Sequence, residues 1–378
     1  MCFHGKRGRY AKGLRYRYKL GFPGVLGYRE MGTGMKTGIV RDDRYLVHKP
    51  GYNHPEHPRR LKAVYDALDR YHNDNLITVV PEPVTLETLE LVHTPFYIDK
   101  VLKTAEHDFT SLAIDTPASS MTYLASWLAV GGCIKAIDDF FAGRYDVCVA
   151  LVRPPGHHAM KNSAGGFCIF NNLGVAARYA SKQYSLKRVM IVDWDVHHGN
   201  GINDLFYEDS DVFYLSTHDI LLYPYTGNFE DVGTGEGEGY TVNIPIYRDM
   251  KDEDFVYIYQ RVLTPAVLSY RPQLILVAAG FDAHHDDPIG RCNLTEQAFS
   301  WLADFLLGLR KEIKKPPVLF ALEGGYQPGA LASSVMALIR SLTEDTPCLD
   351  TPEPKTEQPL KIVDRVMETH RKFGFLVE

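Results

Sequence analysis

Five short apolar runs in this chain each end in a cluster drawn from His, Asp, Tyr and Gly. Residues 147–152 run into RPPGHH, 188–192 into DWDVHHGNG, and 212–215 into STHD; residues 274–279 run into GFDAHHDDP, and 318–322 into EGGYQPG. Runs this short, rich in Val, Ile and Leu and without polar alternation, read as strands buried on both faces. A further run lies at 38–40, and helix-length stretches lie between the runs at 57–72, 119–141, 172–183, 252–268 and 295–314. Strands alternating with helices imply an α/β fold, a mainly parallel sheet flanked by helices on both faces in three layers. In open sheets of this kind ligands bind beyond the carboxyl ends of the strands, so the five clusters are expected to meet.

The 378 residues, 45% hydrophobic and 23% charged, suffice for one large domain or two smaller ones. No repeat and no interior linker is evident. The six cysteines are scattered with no C-x-x-C pair, which argues against a disulfide framework or a zinc knuckle and for a reducing compartment. No apolar run approaches the roughly 20 residues needed to span a bilayer. A soluble, cytoplasmic protein is therefore expected, without a membrane partner. Residues 1–34 hold eight Lys/Arg against one acid, a charge of +7; with the whole chain at −6, the rest carries −13. An acidic body binds nucleic acid poorly and can attract cationic amines. The expected division is a basic, disordered extension over 1–34, a catalytic domain over 35–349, and a tail over 350–378 with one surface helix at 360–373.

Asp195 and His197 stand two apart just past a strand, and Asp282 follows another. Two carboxylates and an imidazole suit Zn²⁺, or Fe²⁺, Co²⁺ or Mn²⁺, and three protein ligands leave a position open, as a catalytic site requires. A capping role for the two aspartates is the plainer alternative. His157 and His158 follow Arg153-Pro154-Pro155-Gly156, a stiff turn able to hold two imidazoles for general base and acid work. Asp193 and Asn200 flank the metal motif and could orient them. Tyr326, after Gly324-Gly325, could donate to an oxyanion. Phe167, after Gly165-Gly166, and Tyr223 could wall an alkyl chain, although aromatics are as often plain core.

The segments RPPGHH, GGFCIFNN, VDWDVHHGNG, AAGFDAHHDDP and EGGY resemble the histone deacetylase superfamily, which includes bacterial acetylpolyamine amidohydrolases and acetoin-utilisation proteins. The resemblance runs from about residue 35 to 349 and lies nearer the class II and bacterial branch than class I. It implies an arginase-deacetylase-like α/β fold with Zn²⁺ at the foot of a narrow tunnel. Asp195, His197 and Asp282 match the metal ligands. His158 matches the general base and acid, His157 its electrostatic partner, with Asp193 behind the first and Asn200 behind the second. Tyr326 matches the transition-state tyrosine. Gly166 and Phe167 line the tunnel, and Tyr223 stands where Phe is common. Arg60 resembles an arginine near the product-exit cavity. Asp193, Asp195 and Ser216, with main-chain carbonyls of His197 and Thr217, resemble a structural K⁺ site. GNGIND departs from the commoner GNGTQ after the zinc motif, and His284-His285 are extra imidazoles, read here as rim or helix-start residues.

The implied function is metal-dependent hydrolysis of the amide of an N-acetylated amine, acetyl-lysine in proteins or peptides before an acetylpolyamine or other small amide. Ile289, where polyamine-selective relatives can place a gatekeeping glutamate, tilts the choice. A ureohydrolase would need a second metal and more carboxylates. A non-catalytic acyl-lysine binder would be expected to have lost the tyrosine, a ligand or a histidine.

Overall fold

The computed structural model describes residues 35–344 and 354–376; the basic extension 1–34, the junction 345–353 and the last two residues lie outside them. Among the described residues ten strands occur in the order β1 (Thr37–Val40), β2 (Leu76–Val79), β3 (Thr110–Ala113), β4 (Thr116–Ala118), β5 (Val147–Ala150), β6 (Val189–Asp193), β7 (Val212–Asp219), β8 (Thr241–Ile246), β9 (Leu274–Ala279) and β10 (Val318–Leu322). Eight of them form one sheet in the order β2-β1-β5-β10-β9-β6-β7-β8, with every pairing parallel. β3 and β4 make a separate antiparallel hairpin.

The six apolar runs of the sequence all form strands, and the interior ones are buried along their whole length. β2 and β8 add to them as the two edges. The helices Arg59–Leu68, Thr122–Phe141, Asn172–Tyr184, Asp252–Tyr270 and Glu296–Leu309 fall where helix-length segments were expected. A further helix, Pro328–Thr343, starts directly after EGGYQ, with Pro at its first position and the Gln327 side chain accepting the Ala330 N–H.

Register brings the clusters together. Asp193 pairs with Ser216 on one side and Ala278 on the other, and Ala279 pairs with Leu322. β6, β9 and β10 therefore end nearly level while β7 runs on to Asp219, and the segments that follow them leave the same, carboxyl side of the sheet.

The helix expected in the tail spans Gln358–His370. It packs on β8 and on Asp252–Tyr270, and Ile362, Val363 and Val366 enter the main hydrophobic cluster. It is thus part of the compact body and covers a sheet edge whose unpaired backbone would otherwise be exposed.

Candidate active site and metal centre

At the ends of β6 and β9, Asp195, His197 and Asp282 are buried and bring one donor atom each to within 4.8 Å of the others. His197 Nδ1 lies 3.1 Å from Asp195 Oδ1 and 3.0 Å from Asp282 Oδ2, so a proton there bridges two carboxylates. Main-chain donors aim both acids: Gly324 N–H reaches Asp195 Oδ2 at 2.8 Å, and Val196 N–H reaches Asp282 Oδ1 at 2.9 Å. Glycine is required where the next strands close over them. A Cβ on Gly280 would lie 2.2 Å from Asp195 Oδ2, and one on Gly324 2.0 Å from Asp282 Oδ2.

Charge in this nest is unbalanced. Burial disfavours the Asp195 carboxylate, but His157 and His197 hold it well below the usual range. Burial and the neighbouring Asp195 push Asp282 up. His197, despite burial, is lifted to about 10 by the two carboxylates. Two buried acids facing one imidazole form a cradle that a divalent cation would neutralise, and a mixed O₂N donor set suits a borderline metal such as zinc.

The tandem histidines stand beside this cradle, their ring centroids 4.0 Å apart. His157 Nδ1 donates to Asp193 Oδ2 at 3.1 Å, while His158 Nδ1 donates to Asn200 Oδ1 at 2.8 Å, leaving the His158 Nε2 lone pair free. Their surroundings separate them. Burial opposes the His157 cation, yet Asp195, Asp193 and Glu323 push it up to about 10. Burial and the His157 and His197 cations press His158 well below its ordinary value, so it stays neutral. A divalent charge among the aspartates would lower both rings, and lower His158 further still.

Tyr326 closes the other side. Burial and the nearby Asp282 and Asp195 carboxylates raise its phenol well above 10, against the opposing pull of Arg60, so it is a donor at neutral pH. The Arg60 guanidinium lies 4.6 Å over its ring and donates to the Gly325 and Glu323 carbonyls. The Phe167 ring stands edge-on to Tyr326 at 5.5 Å, and Tyr223 edge-on to His158 at 4.9 Å. Between them Gly166 has φ +54, and a Cβ there would lie 2.2 Å from His158 Cδ2 and 2.8 Å from Tyr223 Cε1. Ile289 is half-buried on the loop after β9.

Behind the cradle, Asp193 Oδ2 also accepts from the Tyr214 hydroxyl. His218 Nε2 faces the Gly227 carbonyl at 2.8 Å and so carries that ring's proton. The Ser216 hydroxyl, 2.9 Å from His218 Nδ1, must then donate to it, which leaves its lone pairs for a cation. The Thr217 side chain is taken up with the Tyr259 hydroxyl, so its carbonyl is what it could offer.

Several supporting residues carry no motif of their own. Glu323 Oε2 accepts the Gly156 and His157 N–H groups at 2.7 and 3.2 Å, and burial pushes this acid up to about 7. Asp287 Oδ2 accepts the Tyr326 N–H at 2.6 Å while Oδ1 accepts from Ile289 and Gly290. Buried Glu56 joins Arg60, Arg153 and His48. Glu323 lies inside EGGY and Asp287 inside HHDDP, which is the only signal either gives.

Among the described residues two other groups hold metal-type donors within 4.8 Å, His157–Cys168–Glu323 and His284–His285–Asp286. Burial keeps the Cys168 thiol protonated, a poor ligand. His284 Nδ1 accepts the Asp286 N–H, so its proton sits on Nε2, and that ring has no nitrogen free to ligate. An open cleft lined by Arg178, Lys187, Asp204, Asp209, Asp211 and Glu236 lies at the amino end of β7, away from the clusters, with Arg178 paired to Asp209 and Lys187 to Asp211.

A parallel α/β sheet with a carboxylate–imidazole cradle, paired histidines and a phenol at its strand ends defines a metallohydrolase. Residues 54–342 match the family model described as histone deacetylase domain. The chain is 39% identical to histone deacetylase 10, chloroplastic, of Oryza sativa subsp. japonica over 76% of this chain and 69% of that one. It is 34% identical to a probable deacetylase of Archaeoglobus fulgidus, over 82% and 86%. The crystal structure of the HDA15 HD domain superposes with a TM-score of 0.83 at 33% identity, covering 90% of this chain and 95% of that one. The chain belongs to the histone deacetylase family, and is a deacetylase acting by amide hydrolysis.

Proposed function

We propose that the chain is a zinc-dependent deacetylase of acetyl-lysine in proteins or peptides. The observation that carries this reading is the meeting of Asp195, His197 and Asp282 with neutral His158 and the Tyr326 phenol at one line of strand ends. Asp195, His197 and Asp282 are its metal ligands, for Zn²⁺ first and for Fe²⁺ or Co²⁺ as alternatives. When bound there the cation supplies Lewis-acid polarisation of the amide carbonyl and acidifies water. His158 Nε2 takes the proton of the attacking water and returns it to the departing amine. His157, kept charged by Asp193, steadies the negative charge that develops, and Asn200 fixes the His158 tautomer. The Tyr326 hydroxyl donates to the oxyanion. Gly166, Phe167 and Tyr223 confine the alkyl chain, with Ile289 at the rim. The products are acetate and a free amine.

Asp193, Asp195 and Ser216, with the His197 and Thr217 carbonyls, are proposed to hold K⁺, which would offset the excess negative charge behind the ligands. The catalytic unit is taken as 35–349 with the helix Gln358–His370 docked on it. The acidic body assigns no nucleic-acid partner to that unit. Among the described residues no helix is long and apolar enough to cross a membrane, and Cys133, Cys148, Cys168 and Cys292 are free thiols. We place the protein in a reducing compartment, the cytoplasm in the first instance; the rice relative is named chloroplastic.

The test is kcat/KM of the zinc-loaded chain on an acetyl-lysine peptide beside N-acetylputrescine and acetylspermidine, with metal content measured on the same sample. About one zinc per chain and peptide turnover well above that of the polyamines are expected. Preference for the polyamines would overturn the substrate, and close to two metals per chain would favour a ureohydrolase-type centre.

A further inference from the structure

Around the tunnel mouth the surface is apolar where turns and loops are ordinarily polar. Ile114 is the first residue of the two-residue turn between β3 and β4, and it is fully exposed. Such turns favour Gly, Asn and Asp, and a bare Ile there adds nothing to the fold. Next to it, Asp115 Oδ2 accepts the Gly166 N–H at 3.0 Å, and its carbonyl accepts from His54 Nε2 at 3.1 Å. The hairpin tip therefore lies against the tunnel wall. The His54 ring stands edge-on to Phe167 at 4.7 Å, and two residues before it Tyr52 is 79% exposed. On the other wall Leu221 and Tyr225, 60% and 72% exposed, flank Tyr223 in the chain.

An acyl-lysine side chain entering between Phe167 and Tyr223 leaves its parent chain lying across these residues. We propose that Tyr52, Ile114, Leu221 and Tyr225 form a collar that docks the substrate polypeptide, selecting apolar or aromatic side chains within a few residues of the acylated lysine. This rests on the reading of the site as an acyl-lysine deacetylase. The hairpin that carries Ile114 is tied to the Gly166–Phe167 wall by Asp115 and Thr116, and Tyr52, Leu221 and Tyr225 lie within two residues of His54 and Tyr223, which border the same wall and His158. A free polyamine, with cationic nitrogens beyond its acetyl group, would gain nothing from the apolar neighbours.

The full zinc-loaded chain is assayed on two acetyl-lysine peptides, one flanked by Leu and Phe and one by Gly and Asp, and on acetyl-lysine blocked at both ends. Burial of one or two apolar side chains predicts about tenfold higher kcat/KM for the first peptide. In the Ile114→Ser/Tyr52→Ser double variant the preference should fall to about twofold, with the blocked amino acid within about twofold of wild type. Dissociation constants of the same peptides, labelled with fluorescein and measured in a Tyr326→Phe background, report on the collar whether or not turnover is seen. Equal constants and equal rates for the two peptides overturn it. So do equal losses on all three substrates in the double variant, which would mean that these residues act through the tunnel wall. A preference that disappears as the chain dimerises on sizing chromatography hands the surface to a second copy and also overturns it. Loss of turnover on everything with the binding preference retained supports the collar and defeats the deacetylase reading.

Discussion

His157 and His158 are adjacent in sequence and packed ring to ring, yet what they touch pushes their protonation in opposite directions. His157 faces three carboxylates and is held charged; His158 faces an amide and two cationic rings and is held neutral. Only the second can accept a proton. His158→Ala is therefore expected to lower kcat by about 10³-fold, and His157→Ala by about tenfold to a hundredfold, with KM little changed in either. Steady-state kinetics on one acetyl-lysine peptide checks this; equal losses at both positions would end the division of labour. These residues were legible because each sits in a motif at a strand end. Asp287 and Glu323 were not assigned, because what they hold is main-chain N–H, of Tyr326 in one case and of Gly156 and His157 in the other. A backbone partner leaves no mark in a sequence. Asp287→Asn, which removes the negative charge and leaves one neutral oxygen for the N–H groups of Ile289, Gly290 and Tyr326, should cost about tenfold in kcat with KM within about twofold. A matching rise in KM would instead place Asp287 in substrate binding.

At the scale of elements, the β3–β4 hairpin explains how the Gly166–Phe167 turn, proposed above as a tunnel wall, can hold two consecutive left-handed residues. Gly166 has φ +54 and Phe167 φ +66, and for a phenylalanine that conformation is unfavourable by about 1–2 kcal/mol. Both amides are held from the hairpin, Gly166 N–H by Asp115 Oδ2 at 3.0 Å and Phe167 N–H by Thr116 Oγ1 at 3.1 Å. Asp115→Ala and Thr116→Val should let the wall relax, raising KM by about fivefold to tenfold with a smaller fall in kcat and a loss of about 1–2 kcal/mol in stability. Kinetics together with denaturant unfolding decides it; a stability loss without any change in KM would make the hairpin a purely structural brace. The hairpin itself could not be read from the chain, since TSLA and TPA are too short and too mixed to announce strands. The two edge strands escaped for a related reason. β8 reads TVNIPI, and its Pro245 argues against a central strand while remaining compatible with an edge. The helix Pro328–Thr343 opens on Pro-Gly inside a cluster that reads as loop, which masks its apolar periodicity.

For the molecule as a whole, the apolar runs were enough to reveal a parallel sheet and the end of it at which the His, Asp and Tyr clusters gather, because continuous burial on both faces leaves a strong compositional trace. The tail's role was less visible, since the helix Gln358–His370 shows its purpose only against β8 and the helix Asp252–Tyr270. Its last residue makes that docking testable. His370 is buried, with no hydrogen-bond partner among the described residues on either ring nitrogen, and burial, aided by Lys372, pushes it down to about 4. The neutral ring is the folded form. Above pH 6.5 neither the folded nor the unfolded ring is protonated, and the contribution to stability is complete. As pH falls from about 6.5 toward 4 the unfolded chain takes up a proton that the folded chain refuses, so stability is lost across that window, by up to roughly 3 kcal/mol for one such group. His93 and His218, also pushed down to about 4 by burial, act in the same direction, whereas the raised acids Glu323 and Asp282 act in the opposite one. The total slope is therefore a mixture, and the difference between variant and wild type is the quantity to read. His370→Leu leaves no polar partner unsatisfied and keeps the apolar seat of the helix. It should match or exceed wild-type stability at pH 7.5 and lose up to roughly 3 kcal/mol less between pH 6.5 and 4, measured by urea unfolding of the full chain at each pH. Parallel curves would mean that His370 is protonated in the folded chain, and that this helix opens from β8 at a free-energy cost smaller than that of global unfolding.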